Sequence, residues 1–144
     1  VHGGFDFRVL GSDISMRVLN AAVRGVYKEQ AADPIPGHLR KRYLLRSRDR
    51  DRELVRIDRD LRQKVRFMCL NLMEKDLKVD RIMDVIFCRN VIIYFERSVQ
   101  EDLIMKLCAN LADDGFLFLG HSETLHGLSL PLRPVSPMVY RKIS

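Results

Sequence analysis

The sequence predicts an α/β fold with a small antiparallel insert, on three observations. A strand, a tight turn and a helix follow one another over residues 5–25. A short apolar run at 82–88 has the character of a buried parallel strand. Polar residues recur where apolar runs end: Asp13, Asn71, Arg89 with Asn90, and 121–123.

Residues 5–10 are extended and apolar and lead into Gly11-Ser12-Asp13. A helix follows with Val18, Leu19, Ala22 and Val23 on one face, and Gly25 stops it. Asp33-Pro34-Ile35-Pro36-Gly37 is a loop, and residues 38–42 form a short helical turn. Residues 43–45 and 54–57 read as two strands flanking an exposed charged turn, in which Arg and Asp alternate from Arg48 to Arg52. This hairpin is expected to be inserted in the α/β scaffold. Residues 65–70 return to a buried strand that ends at Asn71-Leu72.

The run at 82–88 is expected to be the central and most buried parallel strand, ending at Arg89-Asn90. Ser98 and Glu101 stand at capping-box spacing, before a helix carrying Val99, Leu103, Ile104, Leu107 and Leu111 on one face. Asp113-Asp114-Gly115 is expected to stop it. A strand follows at 116–119, and a loop with Pro131, Pro134 and Pro137 leads to a last strand at 138–143.

At 144 residues the chain has the length of one domain. Apolar residues at 47% and charged residues at 31% exclude collagen-like and wholly disordered classes. No apolar run approaches the ~20 residues of a membrane span, so no direct membrane insertion is expected. Val1 stands where a starting methionine would, and no charged-then-apolar leader follows it; the expectation is a processed or cut chain with sequence missing upstream. Cys69, Cys88 and Cys108 form no C-x-x-C pair and read as buried free thiols in a reducing cytosol.

The net charge of +6 is concentrated: residues 40–66 hold 12 basic and 5 acidic side chains, and the remainder sums to about −1. Nucleic acid is not the expected partner. The arginines are interleaved with acids, and only Tyr43 and Phe67 could stack on bases. His121 and His126 lack a third ligand nearby, so no metal site is expected.

Ligands of open parallel α/β sheets bind outside the carboxyl ends of the strands. Asp13 could accept hydrogen bonds from ribose hydroxyls, or it could be a helix N-cap. Asn71 can offer a donor and an acceptor to an adenine edge, or it could serve a turn. Arg89 at the end of a central strand would answer a charge. Tyr94 and Phe95, on a short helical turn, have the ordinary reading of core aromatics. Together the strand-end groups point to a nucleotide-type ligand.

The stretch Asp84-Val85-Ile86-Phe87-Cys88-Arg89-Asn90-Val91-Ile92-Ile93-Tyr94-Phe95 resembles the signature of the chemotaxis protein methyltransferase (CheR) family. Ser12-Asp13-Ile14, Leu54-Val55-Arg56, Asn71-Leu72 and the run from Gly115 through Gly120-His121-Ser122-Glu123 match in the same order along the chain. The resemblance implies a class I, Rossmann-like methyltransferase that uses S-adenosyl-L-methionine, with S-adenosyl-L-homocysteine as product. It implies that glutamate side chains in the cytoplasmic domain of bacterial chemoreceptors are esterified, and that the protein is cytoplasmic. By the same resemblance Asp13 is the ribose-binding acid, Asn71 and Leu72 are adenine contacts, Arg89 and Asn90 lie near the methionyl end, and Tyr94 is the catalytic tyrosine beside the sulfonium. Residues 43–66 correspond to the family's inserted β-subdomain, which docks the receptor.

The family's N-terminal helical domain and its first strand with a Gly-Glu-Glu-type loop have no counterpart here. The expectation is a partial methyltransferase domain over 1–144, poorly active alone. The alternative is a truncated, non-catalytic partner-binding module. The incomplete sheet, lacking the strand that lies between the second and the fourth, is expected to close its edges by rearrangement or by a strand-swapped oligomer.

Overall fold

The computed structural model describes residues 6–143, in two compact units divided after Leu70. The first unit opens with β1 (Val9–Asp13). This strand lies later than the run read at 5–10, and Phe5 falls outside the described residues. Gly11-Ser12-Asp13 is strand rather than turn because it pairs in parallel with the end of a later strand, from Gly11 opposite Phe67 to Asp13 opposite Cys69. Helix α1 (Met16–Arg24) starts at Ser15, whose Oγ accepts from Val18 N, and ends at Gly25. Gly25 adopts φ +61° and donates to the carbonyls of Ala21 and Ala22, a left-handed cap that suits glycine. Of the apolar face only Leu19 is buried, whereas Val18 and Val23 are exposed.

The hairpin forms as the sequence indicates, and a third strand joins it. Strand β2 (Val26–Lys28) precedes helix α2 (Gly37–Tyr43), then come β3 (Leu44–Arg46) and β4 (Leu54–Ile57), in the antiparallel order β2-β4-β3. At the tip, Asp49 accepts from Asp51 N and pairs with Arg52 at 2.9 Å. Val55 of β4 is buried. Helix α3 (Arg59–Gln63) follows, with the Asp58 side chain accepting from Asp60 N, and leads into β5 (Val65–Cys69), the parallel partner of β1.

The second unit is built on β6 (Met83–Cys88), α4 (Arg97–Ala109), β7 (Leu111–Leu119), β8 (Leu132–Ser136) and β9 (Val139–Lys142), with sheet order β6-β7-β9-β8. Only β6 and β7 run parallel. Leu103 and Ile104 of α4 are fully buried, with Leu107, Cys108 and, from β7, Leu111 and Leu117.

Four expectations change here. Strand β6 lies at the edge of its sheet rather than the centre, and it is not the most buried: Phe87 is 69% exposed and Val85 44%. Its second edge has no hydrogen-bonded strand among the described residues, and Phe87, though largely exposed, stacks on Phe118 of β7 with ring centroids 4.7 Å apart. Ser98 and Glu101 make no capping box, because the helix begins at Arg97 and Glu96 occupies the N-cap without a side-chain bond. The helix ends at Asn110, not at Asp113-Asp114-Gly115. Those residues bulge out of β7, where the register jumps from Met83–Leu111 to Val85–Phe116. Charge fastens the bulge to β9, with Asp113 on Lys142 at 3.3 Å and Asp114 on Arg141 at 2.9 Å. Finally, the last strand is half of a hairpin whose first half, β8, tolerates Pro134 because it is an edge strand.

Among the described residues β1 pairs with β5 alone and β6 with β7 alone. Cys69 is exposed, against the expectation of three buried thiols, because β1 covers only one edge of its strand. Cys88 and Cys108 are buried. Burial pushes both thiols up to about 11; the negative charge of Glu123 adds to this at Cys88, while Lys142 opposes it at Cys108. No helix among the described residues is long and apolar enough to cross a membrane.

Candidate functional site

The candidate residues stand at strand ends in both units. In the first, Asp13 closes β1, and its backbone carbonyl accepts from Leu70 N at 3.1 Å, tying the ends of β1 and β5 together. Its Oδ1 accepts from Ser15 N at 2.8 Å. Asp13 is therefore not the N-cap, a role that Ser15 fills; it holds the turn into α1 and keeps Oδ2 without a partner among the described residues.

In the second unit, Asn71 makes a turn of its own. Its Oδ1 accepts from Met73 N at 2.9 Å and its carbonyl from Glu74 N at 3.1 Å. The turn reading is thus correct for the oxygen, while the Nδ2 donors have no partner among the described residues. Leu72 beside it is half-buried.

The end of β6 carries the most constructed geometry in the chain. Arg89 is exposed and makes no ion pair among the described residues. Asn90 sits at φ +58°, a left-handed conformation that asparagine tolerates better than most side chains. The backbone then turns over Val91 into a single 3₁₀ turn, Ile92–Tyr94. Ile92 is the core residue of this turn. Tyr94 points away and is 80% exposed, so the ordinary reading of a core aromatic does not hold for it.

The carboxylate of Glu123, 2% exposed, holds this loop. Its Oε2 accepts from Asn90 N at 2.9 Å and from Gly120 N; its Oε1 accepts from Val91 N at 2.7 Å and Ile92 N at 2.9 Å. Burial alone would push this carboxyl up. The four backbone donors outweigh it, and the net effect is a pKa below the ordinary glutamate value. With both oxygens saturated the group is unsuited to act as a general base. Gly120 makes room for it: a Cβ there would stand 2.6 Å from Asn90 Oδ1 and 2.7 Å from Glu123 Oε2. From the other side Gln100 on α4 donates Nε2 to the carbonyls of Ile92 and Phe95, both at 2.9 Å.

Glu123, Gly120 and Gln100 build the loop after β6, and reading the sequence assigned none of them that role. Gly120 and Glu123 lie inside a noted strand-end motif, and a glycine followed three residues later by an acid was the available signal. Nothing marked Gln100, whose partners are backbone carbonyls. No group of three His, Cys, Asp or Glu side chains that could hold a metal occurs among the described residues.

After the internal bonds, the first unit keeps a carboxylate oxygen at Asp13 without a partner among the described residues, and the second unit keeps the amide donors of Asn71, the guanidinium of Arg89 and the phenol of Tyr94. None offers a base in a low-dielectric setting.

A family model described as CheR methyltransferase, SAM binding domain, matches residues 2–139. Similar proteins include chemotaxis protein methyltransferase 2 of Pseudomonas aeruginosa, 38% identical over 96% of this chain and 50% of its own length. The chemotaxis protein methyltransferase of Salmonella typhimurium is 38% identical over 85% of this chain and 42% of its length. That of Escherichia coli is 36% identical over 85% and 43%. The chain spans about half the length of these curated relatives.

Proposed function

This chain belongs to the CheR methyltransferase family, and we propose that it is part of an S-adenosylmethionine-dependent O-methyltransferase that esterifies glutamate side chains in the cytoplasmic domain of chemoreceptors. The observation that carries this reading is the conjunction of the family match with unspent polar groups at the strand ends. Asp13 would hold the ribose through its free oxygen, Asn71 and Leu72 the adenine, and Arg89 and Asn90 the methionyl end.

The cofactor supplies a methyl group already activated on a sulfonium. A receptor glutamate is ionised at neutral pH, so the reaction asks for no base. What the protein contributes is alignment of the carboxylate oxygen with the methyl carbon and sulfur, and exclusion of water. Tyr94, exposed on a rigid turn, would line that approach and could donate a hydrogen bond. Arg89 could pair with a carboxylate.

We further propose that the 144 residues are a portion of a longer protein, and that by themselves they transfer methyl groups poorly and associate through the open edge of β6. Calorimetry on the complete protein tests the cofactor assignment. Asp13→Ala is expected to weaken S-adenosylhomocysteine binding by about 1–3 kcal/mol, the cost of leaving buried partners unpaired. Unchanged affinity would remove Asp13 from the site.

The hairpin of β3 and β4 is proposed to dock an acidic receptor surface. Arg48 at its tip is exposed and has no ion pair among the described residues, whereas Arg46 is held by Glu29 and Arg52 by Asp49. Association with receptor should slow as salt rises. Reversing Arg48, Arg50 and Arg52 to Glu should slow it at low salt; binding kinetics identical to wild type at every salt concentration would rule out this surface.

A further inference from the structure

We propose that Glu123 and Gln100 are positioning residues that hold the loop over residues 90–95 from its two ends and meet at Ile92, Glu123 setting Asn90 for the cofactor and Gln100 setting Tyr94 for methyl transfer. The inference rests on the functional reading above and adds residues that touch neither cofactor nor substrate.

The bond pattern is the argument. Glu123 receives the N–H groups of Asn90, Val91 and Ile92, the first half of the loop, and ties them to Gly120 at the end of β7. Gln100 receives none of these. Its one amide nitrogen reaches the carbonyls of Ile92 and Phe95, which bracket Tyr94. Three consecutive N–H groups, of residues 90–92, are met by Glu123, and two carbonyls three residues apart, at the start and just past the end of the 3₁₀ turn, are met by Gln100 from a different element. Asn90 at φ +58° would relax if its N–H were released, and a relaxed Asn90 would carry its side chain elsewhere. Tyr94, 80% exposed, has little packing of its own to fix its ring. Its direction is set by the backbone that Gln100 holds. A mispositioned reacting group of about 1 Å can cost roughly 10²-fold in rate.

The test uses the complete protein with Glu123→Gln and Gln100→Leu, checked for folding by thermal melting. Gln100→Leu is expected to lower kcat roughly 10²-fold while S-adenosylhomocysteine affinity stays at the wild-type value. Glu123→Gln, which sets an amide NH2 against backbone donors, is expected to weaken the affinity as well. In an Asn90→Ala background the affinity loss from Glu123→Gln should vanish, and in a Tyr94→Ala background the kcat loss from Gln100→Leu should vanish. A merely structural role would give losses that add in both backgrounds and affect affinity and kcat together, and that result overturns the proposal. If Glu123→Gln does not fold, Gln100→Leu decides alone: wild-type kcat refutes the positioning role. A wild-type protein that binds no S-adenosylhomocysteine overturns the functional reading and this inference with it. A wild type that binds and transfers, with both variants matching it, overturns the inference only.

Discussion

Glu123→Ala should destabilise the unit beginning at Asn71 by about 3–5 kcal/mol, because it strands four backbone N–H groups that now share one buried carboxylate, each costing about 1–3 kcal/mol when unsatisfied. Water entering the vacated space would offset part of that, which is why the expected total is below the simple sum. The pH dependence follows from the direction of the shift. The carboxyl titrates below the ordinary glutamate value when folded, so its contribution is complete above that value and drains away as pH falls through the folded one. The titratable neighbour is the Cys88 thiol, which at about 11 stays neutral throughout this window. Denaturant unfolding of wild type against Glu123→Gln should show a stability gap that is widest near neutrality and narrows in acid. A gap that is constant with pH would mean that the charge is not what holds the loop.

The second large effect is expected at Gly120. Adding a methyl group there brings it within 2.6–2.7 Å of Asn90 Oδ1 and Glu123 Oε2, closer than real Cβ contacts allow. Both atoms have to move: displacing Glu123 Oε2 disturbs its bonds to Asn90 N and Gly120 N, and displacing Asn90 Oδ1 turns the Asn90 side chain away from its present direction. Gly120→Ala should cost about 1–3 kcal/mol of stability, the usual range for overpacking, and should abolish measurable S-adenosylhomocysteine binding to the complete protein. The loss of binding is the more telling readout, since it follows only if the loop held by Glu123 is part of the site. Gly120→Ala with wild-type affinity would separate the two.

Elements whose signals are local were legible in the sequence. Helix α1 could be read because Gly25 caps it, and the β3–β4 hairpin because two short apolar runs flank a charged tip. What depended on distant partners was not. Gly11-Ser12-Asp13 has the composition of a turn and becomes strand because β5 lies alongside it. Asp113-Asp114-Gly115 has the composition of a helix stop and becomes a bulge because Arg141 and Lys142 of β9 pair with it. The strand at Met83–Cys88 reads as central from its apolar character, yet its neighbour on one side is absent from the described residues. At the site, the polar residues that end strands could be picked out one by one. The network that holds them could not, because Glu123 and Gln100 act on backbone groups, which carry no residue identity. Tyr94 was singled out by resemblance, and its exposure is what composition would not have suggested.

The most direct test of the central claim is transfer of labelled methyl groups from S-adenosylmethionine to a chemoreceptor cytoplasmic domain by the complete protein. The account predicts incorporation that mild base releases as methanol, as a glutamate methyl ester requires, and that slows with Tyr94→Ala and, at low cofactor concentration, with Asp13→Ala. No incorporation, or label that withstands base and so resides on nitrogen or carbon, would contradict it.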